Sequence, residues 1–469
     1  MHPDIRRVLE LQQKSAKELA RTSVDERIER LMRIDNYLKD EDRLADLFDA
    51  MYKDFRKPDV EVIGTEVGVV HAQISNVRRK LKRWVRQKKV PTPIPLLGTR
   101  SHIQYEPKGV VLIIAPWNYP LNLTLVPLVY AIAAGNAVVL KPSEISPHTS
   151  AYIKEMITEL FDESEVSVFE GDAGVAQELL DHPFNHIFFT GSPKVGKTVM
   201  QKAAQNLTSV TLELGGKSPA IIDETADIRK SARGVAWSKS VNNGQTCITP
   251  DYLLLHESIQ EEFIEEFEMA LKELYDPHEK GIEKSPDYCR IINDRHFKRL
   301  RSLYDDACNK GARVLVGGNF NESERFIDPT LIGQVTDEMD IMQEEIFGPL
   351  LPSMIYRDRN EVLDIINWRP KPLTIYISSK NHNNIDYFIE GTSAGGTVIN
   401  DYMLGYSNPN LPFGGINNSG IGKSMGFHGF IQFSNERSVI RRKWGSMDMI
   451  YPPYNDRIRW LIKSLYRWF

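Results

Sequence analysis

Cysteine is scarce in this chain: Cys247, Cys289 and Cys308 are the only three among 469 residues, and no two form a CxxC pair. That excludes a disulfide framework and fits a reducing, cytoplasmic setting. No run of 18 apolar residues occurs, so no membrane-spanning helix is expected. The opening Met1-His2-Pro3-Asp4-Ile5-Arg6-Arg7 lacks the apolar core of a secretory signal. Excess positive charge is missing as well. The 58 Lys and Arg against 63 Asp and Glu leave a net charge of -5 and argue against a nucleic-acid binder. No G-x-G-x-x-G follows an apolar strand; the nearest pattern, Gly420-Ile421-Gly422, reaches Gly426 one position late. No metal site is expected.

What is present is ordinary globular material, 41% hydrophobic and 26% charged, in a chain long enough for two or three domains. Ser23-Val24-Asp25-Glu26 reads as a capping box at a helix start. Behind it Ile28, Leu31, Met32, then Leu44, Leu47, Phe48, Met51 and Phe55 recur at helical spacing. About the first 85 residues therefore read as helices laid on something else. From Val110 the texture changes to short apolar strands alternating with helices: 110–114, 137–140, 167–170, 186–189 and 210–212. A second series follows, with strands near 220–222, 252–255, 351–355 and 373–377. Such alternation predicts parallel α/β sheets, with an active site between the two series.

Three motifs carry chemistry. Thr211-Leu212-Glu213-Leu214-Gly215-Gly216-Lys217 offers a carboxylate beside glycines, and Asn243-Gly244-Gln245-Thr246-Cys247 offers a thiol. A thiolate attacks an electrophilic carbonyl carbon, and a nearby carboxylate can activate the water that later releases the acyl group. The third motif, Ala115-Pro116-Trp117-Asn118-Tyr119-Pro120, leaves a strand with an Asn whose amide can donate to an oxyanion. A rival lies in Gly191-Ser192-Pro193-Lys194-Val195-Gly196-Lys197-Thr198. It matches the P-loop spelling in strand–loop–helix context, with Ala220-Ile221-Ile222-Asp223-Glu224 as an acidic strand, and so admits an NTPase.

Asn118, Glu213 and Cys247 in this order resemble the aldehyde dehydrogenase superfamily, in particular its class 3 branch with the fatty-aldehyde dehydrogenases. The resemblance runs from about Arg27 to Pro453. It implies oxidation of aldehydes to carboxylic acids with NAD or NADP, with Cys247 as nucleophile, Asn118 as oxyanion donor and Glu213 as base for hydrolysis. A non-catalytic protein on the same fold is the remaining alternative. The implied fold is α/β: a Rossmann-like dinucleotide-binding domain (1–83 and 105–212), an α/β catalytic domain (213–421), and a small β bridging element (84–104 and 422–447) that pairs two subunits into a homodimer. By the same resemblance Gly191, Ser192, Pro193, Lys194, Val195 and Gly196 meet the cofactor pyrophosphate, and Lys141 and Glu144 the adenine ribose. Glu345 is expected to hold the nicotinamide ribose and Phe347 to pack beside the ring. Leu411–Gly420 and Asn400-Asp401 match supporting loops. Asn242-Asn243 departs from the pattern, since relatives place a small residue after the Asn; the extra amide either touches a ligand or does nothing.

The segment 448–469 reads as a basic amphipathic tail. Ile458, Leu461, Ile462, Leu465, Trp468 and Phe469 form a helical stripe, with Arg457, Arg459, Lys463 and Arg467 on other positions. Peripheral contact with an anionic membrane, packing over the substrate mouth and packing in a dimer all suit that pattern. The basic stretch Arg78–Lys89 reads as the solvated end of a helix, with an anionic membrane or nucleic-acid surface as the alternative.

Overall fold

The helical spacing of the first 85 residues becomes α1 (Pro3–Leu19), α2 (Val24–Tyr37), α3 (Glu41–Phe55), α4 (Asp59–Val62) and α5 (Gly68–Trp84). The computed structural model describes residues 3–448 and 451–466. In it the Ser23 hydroxyl accepts from the Glu26 N–H at 3.2 Å, and the Glu26 carboxylate accepts from the Ser23 N–H at 2.7 Å. The capping box thus satisfies two donors that a helix start leaves orphaned. Between α4 and α5 the helix widens into one π turn, Ile63–Val67, whose Gly68 N–H bonds to the Ile63 carbonyl.

A hairpin of β1 (Lys88–Val90) and β2 (Thr99–Pro107) follows. Next come β3 (Val110–Ile114), α6 (Asn122–Ala134), β4 (Ala137–Lys141), β5 (Val166–Val168), β6 (His186–Gly191) and β7 (Ser209–Leu214). Every residue of β3 and β4 is buried, as expected of parallel strands covered on both faces. The chain then builds β8 (Pro219–Ile222), β9 (Tyr252–His256), β10 (Arg313–Val316), β11 (Phe320–Asn321), β12 (Phe326–Ile327), β13 (Thr330–Gly333), β14 (Leu350–Tyr356), β15 (Thr374–Ser378) and β16 (Gly396–Ile399). It ends with β17 (Gly420–Ile421) and β18 (Ser434–Arg442).

These strands form a six-stranded sheet, β17-β7-β6-β3-β4-β5, a seven-stranded sheet, β10-β13-β14-β9-β8-β15-β16, a three-stranded sheet, β1-β2-β18, and the hairpin β11-β12. The two large sheets are the two series read from the sequence. They are not divided cleanly at residues 213 and 421. β17 returns from beyond the second sheet to lie antiparallel beside β7, with Gly420 opposite Glu213. β18 pairs with β2 from Ser434↔Pro107 to Arg442↔Thr99.

In the six-stranded sheet the chain runs outward from β3 through β4 to β5, then returns to β6 on the other side of β3. The crevice at the carboxyl ends of β3 and β6 is a topological switch point, where open α/β sheets take their ligands. The segments leaving those two strands carry Asn118 and Ser192.

Candidate active site

A cavity of about 560 Å³ opens at that crevice and continues to the second sheet. Asn118, Glu213, Cys247, Glu345, Phe347, Gly191 and Ser192 all line it. Positions spread over more than 200 residues are thereby brought to one space. Much of the remaining wall is apolar, from Val69, Leu123, Val126, Trp237, Leu404 and Phe413 among others.

Asn118 is buried, and its amide nitrogen donates to the Gln245 carbonyl at 3.0 Å. An amide nitrogen carries two hydrogens, so one bond fixes its direction and a second hydrogen remains to donate. Cys247 is delivered by an unusual turn. Asn242, Asn243 and Gly244 have φ of 51°, 56° and 67°, three left-handed residues in succession. Asn and Gly tolerate that region best, and a Cβ on Gly244 would stand 2.4 Å from the Gly348 carbonyl oxygen. The doubled Asn is explained by this backbone. Neither side chain lines the cavity: Asn242 donates to the Asn118 carbonyl at 2.9 Å, and Asn243 to the Cys289 carbonyl at 2.9 Å.

The electrostatics around Cys247 run against simple expectation. A reactive thiol needs a cation or helix N-terminus to raise its thiolate fraction. Here burial pushes the Cys247 thiol up to about 12, and the Glu345 and Glu213 carboxylates add to the rise. Only the backbone N–H groups of Cys247 and Ile248 oppose it. Burial likewise raises Glu213 to about 8, against the opposing pull of Ser424 and Lys423. Neither Glu213 oxygen accepts a well-formed hydrogen bond among the described residues; the Ser424 hydroxyl stands near without completing one. Such a carboxylate is costly to bury.

The loop that carries Glu345 and Phe347 is clamped from two sides. Arg299 donates to the Glu344 carboxylate at 3.0 Å and to the Glu345 and Ile346 carbonyls. Lys217 donates to the Ile341 and Glu344 carbonyls at 2.8 and 3.0 Å, and Asp251 accepts from the Ile346 N–H at 2.9 Å. Phe347 is held at φ 52°, a strained value for a bulky side chain, with its ring 5.3 Å from that of Trp117. Burial also raises Glu345 to about 8. Opposite, Gly414 brings its backbone so close to Glu213 that a Cβ there would lie 3.2 Å from the carboxylate. This is the loop Leu411–Gly420. Asn400 and Asp401 bond to Ser379 and to the Tyr402 N–H, outside the cavity wall.

Six of the expected cofactor residues, Lys141, Glu144, Pro193, Lys194, Val195 and Gly196, lie outside the cavity wall. Ser192 caps the helix Pro193–Gln205, accepting from the Val195 N–H at 3.4 Å, and Pro193, Lys194, Val195 and Gly196 form that helix's first turn. Lys141, at the end of β4, donates to the Pro142 carbonyl at 2.8 Å and to Glu144 at 3.2 Å. The P-loop spelling has no P-loop shape. Only Ser192 separates β6 from the helix, so Gly196, Lys197 and Thr198 are already helical and no loop is left to wrap phosphates. The acidic strand of that rival reading is β8 in the other sheet, where Asp223 bonds to Thr225, Ser379 and Asn384.

The structure adds residues that no sequence signal marked. His296 and Arg299 line the cavity from the helix Asp294–Asn309, and burial drives His296 down to about 4, so it is neutral. Tyr119, also in the wall, shares a 2.8 Å hydrogen bond with Thr246, the neighbour of Cys247. Cys289 is buried in a small core with Phe55, Trp117 and Ile292, and Cys308 lies on the outer helix Asp294–Asn309; neither lines the cavity.

The family model "Aldehyde dehydrogenase family" matches residues 2–439. Over 424 residues the chain is 43% identical to 4,4'-diaponeurosporen-aldehyde dehydrogenase of Staphylococcus aureus, covering 90% of this chain and 91% of that one. It is 40% identical over 424 residues to aldehyde dehydrogenase family 3 member A2 of Pongo abelii, covering 90% and 86%. The substrate-bound structure of Staphylococcus aureus AldH superposes with a TM-score of 0.93 at 40% identity, over 98% and 99% of the two chains. An indole-3-acetaldehyde dehydrogenase structure with NAD+ gives a TM-score of 0.85 at 27% identity, over 94% and 89%.

Proposed function

The chain belongs to the aldehyde dehydrogenase family and oxidises aldehydes to carboxylic acids, and from that premise we propose how its residues divide the work. Cys247 is the nucleophile. Its S–H proton passes to water as the sulfur bonds to the aldehyde carbon; the carbonyl π bond breaks, and the oxygen becomes an oxyanion that accepts from the free hydrogen of the Asn118 amide. Glu345 and Phe347 would hold NAD(P)+, which would accept the hydride and bring a positive charge to the site. Loss of hydride from the substrate carbon leaves a thioester on Cys247. Glu213 then takes a proton from water, the hydroxyl oxygen bonds to the acyl carbon, and the carbon–sulfur bond breaks to give the acid and the restored thiol. The observation that carries this reading is the convergence of Asn118, Glu213 and Cys247 on one cavity, with neither Glu213 oxygen accepting a well-formed hydrogen bond among the described residues.

The dinucleotide reading rests on the switch point between β3 and β6 and on Ser192 at the head of the following helix, whose N-terminal amides suit a pyrophosphate. The six-stranded sheet with α1–α6 would then be the dinucleotide-binding domain, the seven-stranded sheet the catalytic one and β1-β2-β18 the bridge. Lys141 beside Glu144 offsets the carboxylate charge that would repel a 2′-phosphate, which supports use of both NAD and NADP. A homodimer is supported by β18, whose outer edge is unpaired at the end of its sheet.

The apolar wall favours medium- or long-chain aliphatic aldehydes. Across an aldehyde length series, kcat/KM for NADH or NADPH formation should rise about tenfold for every two methylenes added, until the cavity is filled. A flat or falling series would discard the aliphatic assignment.

For the tail we favour peripheral contact with a membrane. In the helix Asp456–Tyr466, Trp460, Ile462 and Tyr466 are exposed beside Arg457, Arg459 and Lys463, and none of its described side chains lines the cavity. Trp468 and Phe469 of the expected stripe lie outside the described residues, as does the Leu465 side chain. No helix among the described residues is long and apolar enough to cross a membrane. Deleting 456–469 should abolish co-sedimentation with phosphatidylserine vesicles and leave short-aldehyde turnover within about twofold. Undiminished sedimentation would assign the helix to packing between subunits.

A further inference from the structure

The short π turn between α4 and α5 lies behind the reacting groups, and its wall residues Gly64 and Thr65 belong to the cavity. A π turn closes its hydrogen bond five residues on, so Glu61 and Glu66 fall on nearly one face, where an α-helix would splay them by about 140°. Gly68 permits the widening: a Cβ there would meet the Ile63 carbonyl oxygen at 2.8 Å. Both carboxylates point inward and both find backbone donors. Glu61 accepts from the Asn242 N–H at 3.0 Å. Glu66 accepts from the Asn122 N–H at 2.8 Å, at the start of α6, and from the Lys57 ammonium at 2.8 Å.

Each contact leads directly to the chemistry. Asn242, the first left-handed residue of the turn before Cys247, uses its side-chain amide to hold the Asn118 carbonyl at 2.9 Å and the Gln245 carbonyl at 3.1 Å. The Gln245 carbonyl also accepts from the Asn118 amide. Glu61 therefore anchors the residue that ties the oxyanion donor to the nucleophile's turn. On the other branch Lys57, fully buried, sits 4.0 Å over the Tyr119 ring, and Tyr119 bonds to Thr246. Glu66 is fully buried and Glu61 half-buried, and a carboxylate withdrawn from water is expensive to keep. Helix capping accounts for Glu66; Glu61 also feels the buried Lys57 ammonium, but its hydrogen bond goes to the turn that holds Asn242.

We propose that Glu61 is a positioning residue for the acylation step, setting the distance between Asn118 and Cys247 through its hydrogen bond to Asn242. The proposal rests on the roles given above to Cys247 and Asn118. Glu61 touches neither substrate nor cofactor, and the interaction it makes is with a backbone N–H, so any acceptor of the same length should serve.

The experiment is single-turnover NAD(P)H formation in the full chain, alongside nucleotide Kd and thermal unfolding. Glu61→Ala should slow the burst about tenfold or more, with Kd within about twofold and thioester hydrolysis unchanged. Glu61→Gln, which keeps an acceptor oxygen, should restore the burst to within about twofold. Asn242→Gly keeps the left-handed backbone and removes the amide, and should slow the burst to a similar degree. The double variant should be no slower than the worse single, as expected for residues acting in series. A normal burst in a folded Glu61→Ala, failure of Gln to rescue, or additive losses in the double variant would each overturn the proposal. Absence of a burst in the wild type, or its survival in Cys247→Ala, would instead overturn the reading of the thiol, and this proposal with it.

Discussion

Cys247→Ala should lower dehydrogenase turnover by at least about 10³-fold while nucleotide Kd stays within about twofold of wild type. Removing the sulfur removes the only thiol in the cavity wall among the described residues, yet disturbs little else. The turn before it is held by Asn242, Asn243 and Gln245, whose bonds run to Asn118, Cys289 and Arg290 and not to the thiol. Cys289→Ala and Cys308→Ala should keep their activity, because neither sulfur reaches the cavity. Substantial NAD(P)H formation by Cys247→Ala, or loss of chemistry in either other variant, would show that a different group attacks.

The position of Cys247 between two carboxylates adds a condition to this prediction. With its pKa pushed up to about 12, the thiol is protonated near neutral pH. Attack then needs either the positive charge of the bound cofactor or removal of the proton as the bond forms. Alkylation by iodoacetamide distinguishes these: saturating NAD+ should accelerate it if the charge of the cofactor draws out the thiolate.

Glu213→Gln should separate the two halves of the reaction. NAD(P)H should appear in a burst near one equivalent per site, followed by a steady rate lower than wild type by about 10²–10⁴-fold, because the amide cannot take the proton of the hydrolytic water. The wild-type pH profile follows from the burial of this residue. A carboxylate raised to about 8 is protonated below that value and ionised above it. Only the ionised form is a base, so hydrolysis of the thioester should rise about tenfold per pH unit up to about pH 8 and level off beyond. The Gln variant should lose that rise. A uniformly slow trace without a burst would place Glu213 in the first step, and a wild-type profile flat from pH 6 to 9 would show that another group activates the water.

Much of this site was legible in the sequence because its parts obey local rules. The strands 110–114, 137–140, 186–189, 252–255 and 373–377 are continuous apolar runs, a pattern that buried parallel strands impose on any sequence. The capping box at Ser23 involves residues three apart and needs no tertiary partner. Glu213, Asn118 and Cys247 sit in short motifs beside glycines or at a strand end, and all three come to line one cavity. Among the strands that escaped notice, β10, β13 and β16 are four residues long and β11, β12 and β17 only two, and each takes its place from its neighbours in the sheet more than from its own pattern.

What the tertiary structure alone decided is how partners distant in the chain meet. The P-loop spelling was rejected by one fact of geometry, that the helix begins at Pro193 and leaves no loop. The doubled Asn of 242–243 looked like a departure with an open purpose; it is a requirement of two left-handed backbone positions, which composition does not reveal. The direction of the Cys247 shift could not be read either, since Glu345 comes from a segment 98 residues further along the chain. Glu61 is the sharpest case. In sequence it is one more carboxylate on an amphipathic helix, indistinguishable from a solvated side chain. Only the π turn at 63–67 rotates it inward to Asn242, 181 residues away. Local pattern fixes which residues form helices, strands and motifs; burial and long-range hydrogen bonds, which depend on the whole chain closing on itself, fix what each polar group does there.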